Sequence, residues 1–210
     1  MARTKSSGAW LKRHVSDPYG RKAKAEGYRS RAAYKLIEIA ERDRLLRPGA
    51  VVVDLGAAPG GWSQALVERV GRSGRVIAVD FRELQPIPGV MVIRGDFRQE
   101  GVLREIEEAL GGRSPDLVVS DMAPNVSGVK ATDQALSIHL CELALDFAKA
   151  HLKPEGALVV KAFQGAGYPE FLAAMRRTFV DVVSRKPGAS RGDSSEMFLV
   201  GSKLRTPRRS

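Results

Sequence analysis

The sequence predicts an α/β protein: one doubly wound, mostly parallel sheet with helices on both faces and one reversed strand at an edge. Three observations carry that expectation. Short apolar, β-branched runs recur along the chain, each followed by a stretch with apolar residues at helical spacing, which is the alternation of βαβ units. The last two such runs have no helix between them, so they must form an antiparallel hairpin. At 210 residues and 22.8 kDa, the chain is long enough for one domain with a sizeable core and too short for two ordinary domains and a linker.

The elements follow in order. A helix is predicted over Ser30–Leu46, where Ala33, Leu36, Ile37, Ala40 and Leu45 supply an apolar face and Pro48-Gly49 closes it. Ala50–Leu55, Arg75–Asp80, Val90–Arg94, Asp116–Ser120 and Ala157–Lys161 are dense in valine, isoleucine and leucine. Runs of this kind belong to parallel strands covered on both faces. Helices are expected between them over Trp62–Val70, Gln99–Leu110, Asp133–Leu152 and Pro169–Phe179. Val180–Arg185 and Ser195–Ser202 are strand-like and are joined by Lys186–Ser194, rich in Gly, Ser and Pro, which makes them the hairpin. Cys141, Met91, Met175 and Met197 are expected to fill the core.

Hydrophobic residues at 43% and charged residues at 28% exclude a disordered, collagen-like or membrane-spanning chain. No uncharged apolar run approaches the ~20 residues needed to cross a bilayer. The first 31 residues are basic and polar where a secretory signal would need an apolar stretch, so a cytoplasmic location is expected. Cys141 is the single cysteine, and His14, His139 and His151 have no ligand-like spacing; a metal-centred mechanism is not expected. The net charge of +10 is concentrated at the ends: Met1–Arg31 carries +7, Lys203–Ser210 carries +4, and the body between them carries −1. Basic arms interleaved with aromatics, here Trp10, Tyr19 and Tyr28, suit a polyphosphate partner, since Lys and Arg displace counterions while rings stack on bases. A solubilising tail is the plainer alternative.

The loop after the first strand, Asp54-Leu-Gly-Ala-Ala-Pro-Gly-Gly-Trp62, lies where open α/β sheets bind ligands. A dinucleotide fingerprint from Gly56 would need glycine where Ala58 stands, and a phosphate-binding P-loop would need lysine where Trp62 stands. What remains is a glycine loop without a phosphate-binding lysine, followed by acids at later strand ends. Asp80 is placed to accept from both ribose hydroxyls of an adenosine cofactor, and Asp96 to meet an adenine amine. Each alone could be a helix cap. Together with the loop they point to an adenosine cofactor lacking a diphosphate, namely S-adenosylmethionine. Asp121, ending the fourth strand, could bind that cofactor, assist catalysis or serve a turn. Lys161 ends a buried run, where an ammonium needs a carboxylate partner, and is either a structural ion pair or a catalytic amine. Glu196 in the last strand needs a partner too. Lys35 on the first helix reads by itself as a solvated residue.

The segments Arg29-Ser-Arg-Ala-Ala-Tyr-Lys35, Asp54-Leu-Gly-Ala-Ala-Pro-Gly-Gly-Trp-Ser63, Ser120-Asp-Met-Ala-Pro-Asn125 and Val160-Lys-Ala-Phe-Gln-Gly165 resemble, in order, the FtsJ/RrmJ family of RNA ribose 2′-O-methyltransferases, with the likeness running from about Trp10 to Ser202. The resemblance implies a Rossmann-like, seven-stranded S-adenosylmethionine-dependent methyltransferase sheet. It implies a catalytic set of Lys35, Asp121, Lys161 and Glu196, with Lys161 central, and cofactor contacts from Gly60, Trp62, Asp80, Asp96 and Asp121. It divides the chain into a basic, partly disordered RNA-binding arm (1–28), the methyltransferase domain (29–202) and a basic disordered tail (203–210). The implied substrate is a uridine of the 23S RNA, in the A-loop of the assembled large ribosomal subunit. The enzyme is expected to be a monomer without metal or membrane attachment. Lys186–Ser195 departs most from the family, with Gly192-Asp193 bringing an acid into a loop that is usually more basic. A transfer RNA 2′-O-methyltransferase of the same family and a ribosome assembly factor acting by RNA binding are the alternatives. A base-nitrogen methyltransferase would carry an Asp/Asn-Pro-Pro-aromatic loop where Asp121-Met-Ala-Pro-Asn125 stands.

Overall fold

Along the chain of the computed structural model, which describes residues 17–125, 127–191 and 194–205, the elements are α1 (Pro18–Ala25), α2 (Ala32–Arg42), β1 (Val51–Leu55), α3 (Gly61–Val70), β2 (Arg75–Asp80), β3 (Val90–Arg94), α4 (Glu100–Leu110), β4 (Leu117–Ser120), α5 (Lys130–His151), β5 (Ala157–Phe163), α6 (Tyr168–Thr178), β6 (Phe179–Arg185) and β7 (Glu196–Leu204). The strands form one seven-stranded sheet in the order β3-β2-β1-β4-β5-β7-β6. β1 to β5 pair in parallel, and β7 runs antiparallel to both β5 and β6. The hairpin therefore sits at one edge as expected. Its reversed member is β7, one place in, and β6 is the outermost strand.

Side-chain alternation along each strand divides the core in two. Val51, Val53 and Leu55 of β1, with Leu158 and Val160 of β5 and Leu199 of β7, pack with Val102 and Ile106 of α4, Leu145 of α5 and Phe171 and Met175 of α6. Val52, Val119, Val159, Phe198 and Val200 point the other way, onto Leu36 and Ile39 of α2 and Trp62 and Leu66 of α3. The same parity puts Asp54, Asp121, Lys161 and Glu196 on the α2/α3 side of the sheet, at or just beyond the strand ends. The tetrad of charged residues is in this sense a continuation of the core stripe.

Several expectations shift in detail. The first body helix is shorter than Ser30–Leu46, ending at Arg42, because the chain enters the left-handed region at Arg44 (φ 52°). β5 extends two residues past Lys161, since β7 pairs with it as far as Phe163 opposite Glu196, and β7 itself reaches Leu204 into the expected tail. Met91, expected in the core, is 46% exposed, because β3 is an edge strand with one face only partly covered. Cys141 and Met175 are buried. Within the segment assigned to the arm, Asp17-Pro18 starts a helix: the Asp17 carboxylate accepts from the Gly20 amide at 3.0 Å, and Ala23 packs beside Tyr34 and Ala189. The arm's Trp10 and first four basic residues, the tail from 206 to 210, and Gly192-Asp193 lie outside the described residues.

Candidate active site

The crevice at the carboxyl ends of β1 to β5 is the site this topology provides. Its floor is the loop between β1 and α3. Gly56 has φ 78° and lies so close to Met122 that a Cβ would stand 2.4 Å from its Cγ; Gly60, at φ 109°, would set a Cβ 2.8 Å from Ile87 Cδ1. Only glycine fits either position, and the tight turn brings backbone against a cavity of about 310 Å³ lined by Asp80, Asp96, Asp121 and the aromatic side chains of Phe81 and Phe97. Asp80 receives the Ala58 amide at 2.9 Å and is paired with Arg82 at 3.1 Å. Asp96 accepts the Arg98 amide at 3.0 Å and pairs with its guanidinium, which holds the carboxyl below the usual carboxylate range against the cost of burial. Each carboxylate has about four lone-pair positions, and Arg82 with the Ala58 amide occupies those of Asp80 while Arg98 occupies those of Asp96, so a hydroxyl or amine donor reaches them by displacing an exposed arginine N–H.

Of the expected cofactor residues, Asp80, Asp96 and Asp121 line this cavity; Gly60 and Trp62 do not. The Trp62 side chain is core, its Nε1 donating to the Ala32 carbonyl at 2.7 Å and its ring 5.8 Å from that of Phe198. Asp54, unassigned by the sequence reading, is the added member. It is fully buried, takes a 2.6 Å hydrogen bond from Ser63 on one oxygen, and leaves Oδ1 without a partner. Burial pushes its carboxyl up to about 7; Ser63 opposes this and the charges of Asp121 and Asp80 add to it. A strand-end acid followed nine residues later by a helical serine was the available signal.

The expected catalytic set is assembled from four distant parts of the chain. Lys161 is 8% exposed, and its Nζ donates to the Asp121 carbonyl at 2.7 Å. The Asp121 carboxylate stands 2.9 Å from the same Nζ, an electrostatic contact and not an aligned hydrogen bond. Lys35 crosses from α2 to grip both oxygens of Glu196, at 2.7 and 2.8 Å, and Ser190 donates to the same carboxylate at 2.8 Å. Burial opposes the Glu196 charge, yet Lys35, Ser190 and the positive field of Lys161 together hold its carboxyl below the usual value. Beyond Asp121 lies a second cavity of about 490 Å³, walled by Ala123, Phe163 and Ser195. Ala123 lines both cavities, so the Asp121–Ala123 ribbon divides them and Lys161 is held at the divide.

A profile of the FtsJ-like methyltransferases matches residues 28–204. The chain belongs to the FtsJ-like methyltransferase family. As such it is 58% identical over 205 residues to the ribosomal RNA large subunit methyltransferase E of Azoarcus sp. (strain BH72), covering 98% of this chain and 100% of that protein. It is 57% identical to the protein of the same name from Chromobacterium violaceum, over 96% of this chain and 98% of the relative. Among solved structures, this FtsJ-like methyltransferase is similar to one described as a ribosomal RNA methyltransferase from Plasmodium falciparum, with a TM-score of 0.75 and 29% identity over 84% of this chain and 98% of that one. Among the described residues no helix is long and apolar enough to cross a membrane, and no cluster of three or more His, Cys, Asp or Glu could hold a metal ion.

Proposed function

We propose that this methyltransferase moves a methyl group from S-adenosylmethionine to the ribose 2′-hydroxyl of a uridine in the 23S RNA of the large ribosomal subunit, acting on the assembled subunit in the cytoplasm. The observation that carries the reading is Lys161, fixed by Asp121 at the divide between two cavities and facing the Lys35–Glu196 pair. One cavity suits the cofactor and the other the acceptor nucleoside.

The cofactor reading rests on the donor set. The first cavity is lined by Asp80, Asp96 and Asp121 with Arg82 and Arg98 paired to the first two, and the unpartnered Asp54 oxygen lies buried within the field of Asp80 and Asp121. That chemistry fits hydroxyls, an adenine amine and a cationic amino-acid tail. Asp80 and Asp96 would hold the adenosine, while Asp54 and Asp121 favour the positive end. S-adenosylmethionine supplies a methyl group already activated on a sulfonium.

Alignment is then most of the enzyme's task. Two acceptors on Asp121 and the nearby Glu196 carboxylate surround the Lys161 ammonium. Of its three N–H groups, one is committed to the Asp121 carbonyl and another is held toward the Asp121 carboxylate, which leaves one for the 2′-oxygen. Lys161 thus holds the oxygen through one lone pair and aims the other at the methyl carbon. As the oxygen–carbon bond forms, the hydroxyl proton becomes strongly acidic, so the Asp121 carboxylate suffices to receive it without a strong base. Glu196, held in place by Lys35, adds a carboxylate to the field around Lys161.

Transfer of labelled methyl to undermethylated large subunits, naked large-subunit RNA and bulk transfer RNA tests the reading. Alkali-resistant label on a uridine of the subunits is the expected result. Label confined to transfer RNA, or to a base instead of a ribose, overturns it.

A further inference from the structure

The second cavity has features that methyl transfer alone does not use. It is bounded by Ala123 and Pro124 after β4, by Phe163 and Gln164 at the end of β5, and by Gln134 and Ser137 of α5. Residues 130, 134 and 137 recur at four- and three-residue spacing, so one stripe of α5 faces the cavity. On that stripe Gln134 is held in a fixed orientation: its Nε2 donates to the Phe163 carbonyl at 3.1 Å. On its other side the chain passes at Gly165 (φ 151°), where a Cβ would stand 2.8 Å from Gln134 Oε1. Turning the carboxamide over would set its oxygen against the Phe163 carbonyl, two acceptors with no proton between them.

A carboxamide locked in this way can offer one acceptor, Oε1, beside the remaining N–H. Uracil presents the complement on its Watson–Crick edge, a ring N3–H beside a carbonyl oxygen. Cytosine presents the reverse, an acceptor nitrogen beside an amino donor, and a free glutamine could turn to suit it where a locked one cannot. Phe163 adds an aromatic wall of the kind on which unstacked bases stack, and its ring centroid is 5.9 Å from Lys161 Nζ, which keeps a base held there next to the reacting ribose.

We propose that this cavity is the pocket for the acceptor base and that Gln134, oriented by the Phe163 carbonyl, selects uracil over cytosine. The inference rests on the proposed 2′-O-methyl transfer and adds the residue that chooses the nucleotide. Lys161 addresses only the ribose hydroxyl, so base choice has to come from contacts such as this one.

The test uses the full-length protein and undermethylated large subunits carrying either uridine or cytidine at the acceptor position. The wild-type protein should favour uridine by about tenfold or more in kcat/KM, the factor that one well-made hydrogen-bond pair supplies. Gln134→Leu should lose about tenfold on uridine, bring the two substrates close to parity, and leave S-adenosylmethionine binding unchanged. Gln134→Glu, similar in size but without a donor for the Phe163 carbonyl, serves if the leucine variant melts early, and it should also lose the preference. Variants that melt normally and keep the full uridine preference overturn the pocket assignment and leave the proposed activity standing. Absence of transfer by the wild-type protein to either subunit overturns the proposed activity, and the pocket with it.

Discussion

Asp54 and Glu196 are two buried carboxyl groups pushed in opposite directions by their surroundings, and each makes its own prediction. Burial raises Asp54 to about 7, with Asp121 and Asp80 adding and Ser63 opposing. The unfolded value is ~4, so between the two the folded state holds a proton that the unfolded state has released, and stability falls as pH rises through that interval. Asp54→Asn removes the penalty. Its unfolding free energy should exceed the parent's near pH 8, by about 4 kcal/mol at ~1.4 kcal/mol per pH unit of the interval, and the margin should vanish toward pH 4 to 5. Equal margins at both pH values would contradict the assignment. The same variant should bind S-adenosylmethionine more weakly, because the buried oxygen then carries no charge. Glu196 has the reverse sign. Lys35, Ser190 and Lys161 outweigh burial and hold it below its ordinary value, so its contribution is present above the unfolded value of ~4 and is lost as the pH falls through the lowered one. The sequence marked Glu196 as needing a partner, and left Lys35 on a solvated face. The pair spans 161 positions, and no local pattern reports a contact at that separation.

At the scale of elements, the Lys35–Glu196 pair ties α2 to β7 with side chains only 13% and 10% exposed. Lys35→Ala strands a carboxylate there and should cost about 2–4 kcal/mol in denaturant unfolding. Lys35→Met combined with Glu196→Gln should recover part of that loss; strictly additive losses would mean that the two side chains do not interact. The amino-terminal helix α1 is fastened by Asp17, which caps it and pairs with Arg31 at 2.5 Å. Asp17→Ala should lower stability by about 1–2 kcal/mol, read as an earlier melt. That helix was written in the Asp17-Pro18 start signal, yet the dense positive charge around it gave the stretch the composition of an arm. The strands were legible from their β-branched runs to within a residue or two. The exposure of Met91 was not, because a valine-rich run reads the same at the edge of a sheet as at its centre until the strand order is known.

For the whole molecule, strand parity does the assembling. Asp54, Asp121, Lys161 and Glu196 emerge together on the α2/α3 side because each continues an inward-facing stripe of its strand. The glycine loop, Asp80, Asp96, Asp121 and Lys161 could be picked out from the chain because each lies at or just after the end of an apolar strand run, whereas the division of the crevice into two cavities, the buried Asp54 oxygen and the orientation of Gln134 could not: those depend on loops meeting across the sheet. Charge acts at this scale as well. Residues 1–16 contribute four Lys or Arg, and if they touch RNA phosphates their deletion should flatten the slope of log affinity against log salt by about 3, at ~0.7–0.9 per phosphate contact. An unchanged slope would make the arm a solubilising tail. The most direct measurement is single-turnover methyl transfer to undermethylated large subunits by the wild-type protein, Lys161→Ala and Lys161→Arg across the neutral pH range. An aligning ammonium predicts a loss of ~10²–10³ for alanine, partial retention by arginine, and no tenfold-per-unit climb with pH in the wild type. Near-normal turnover by Lys161→Ala, or a climb of that kind that disappears in Lys161→Arg, would contradict the account.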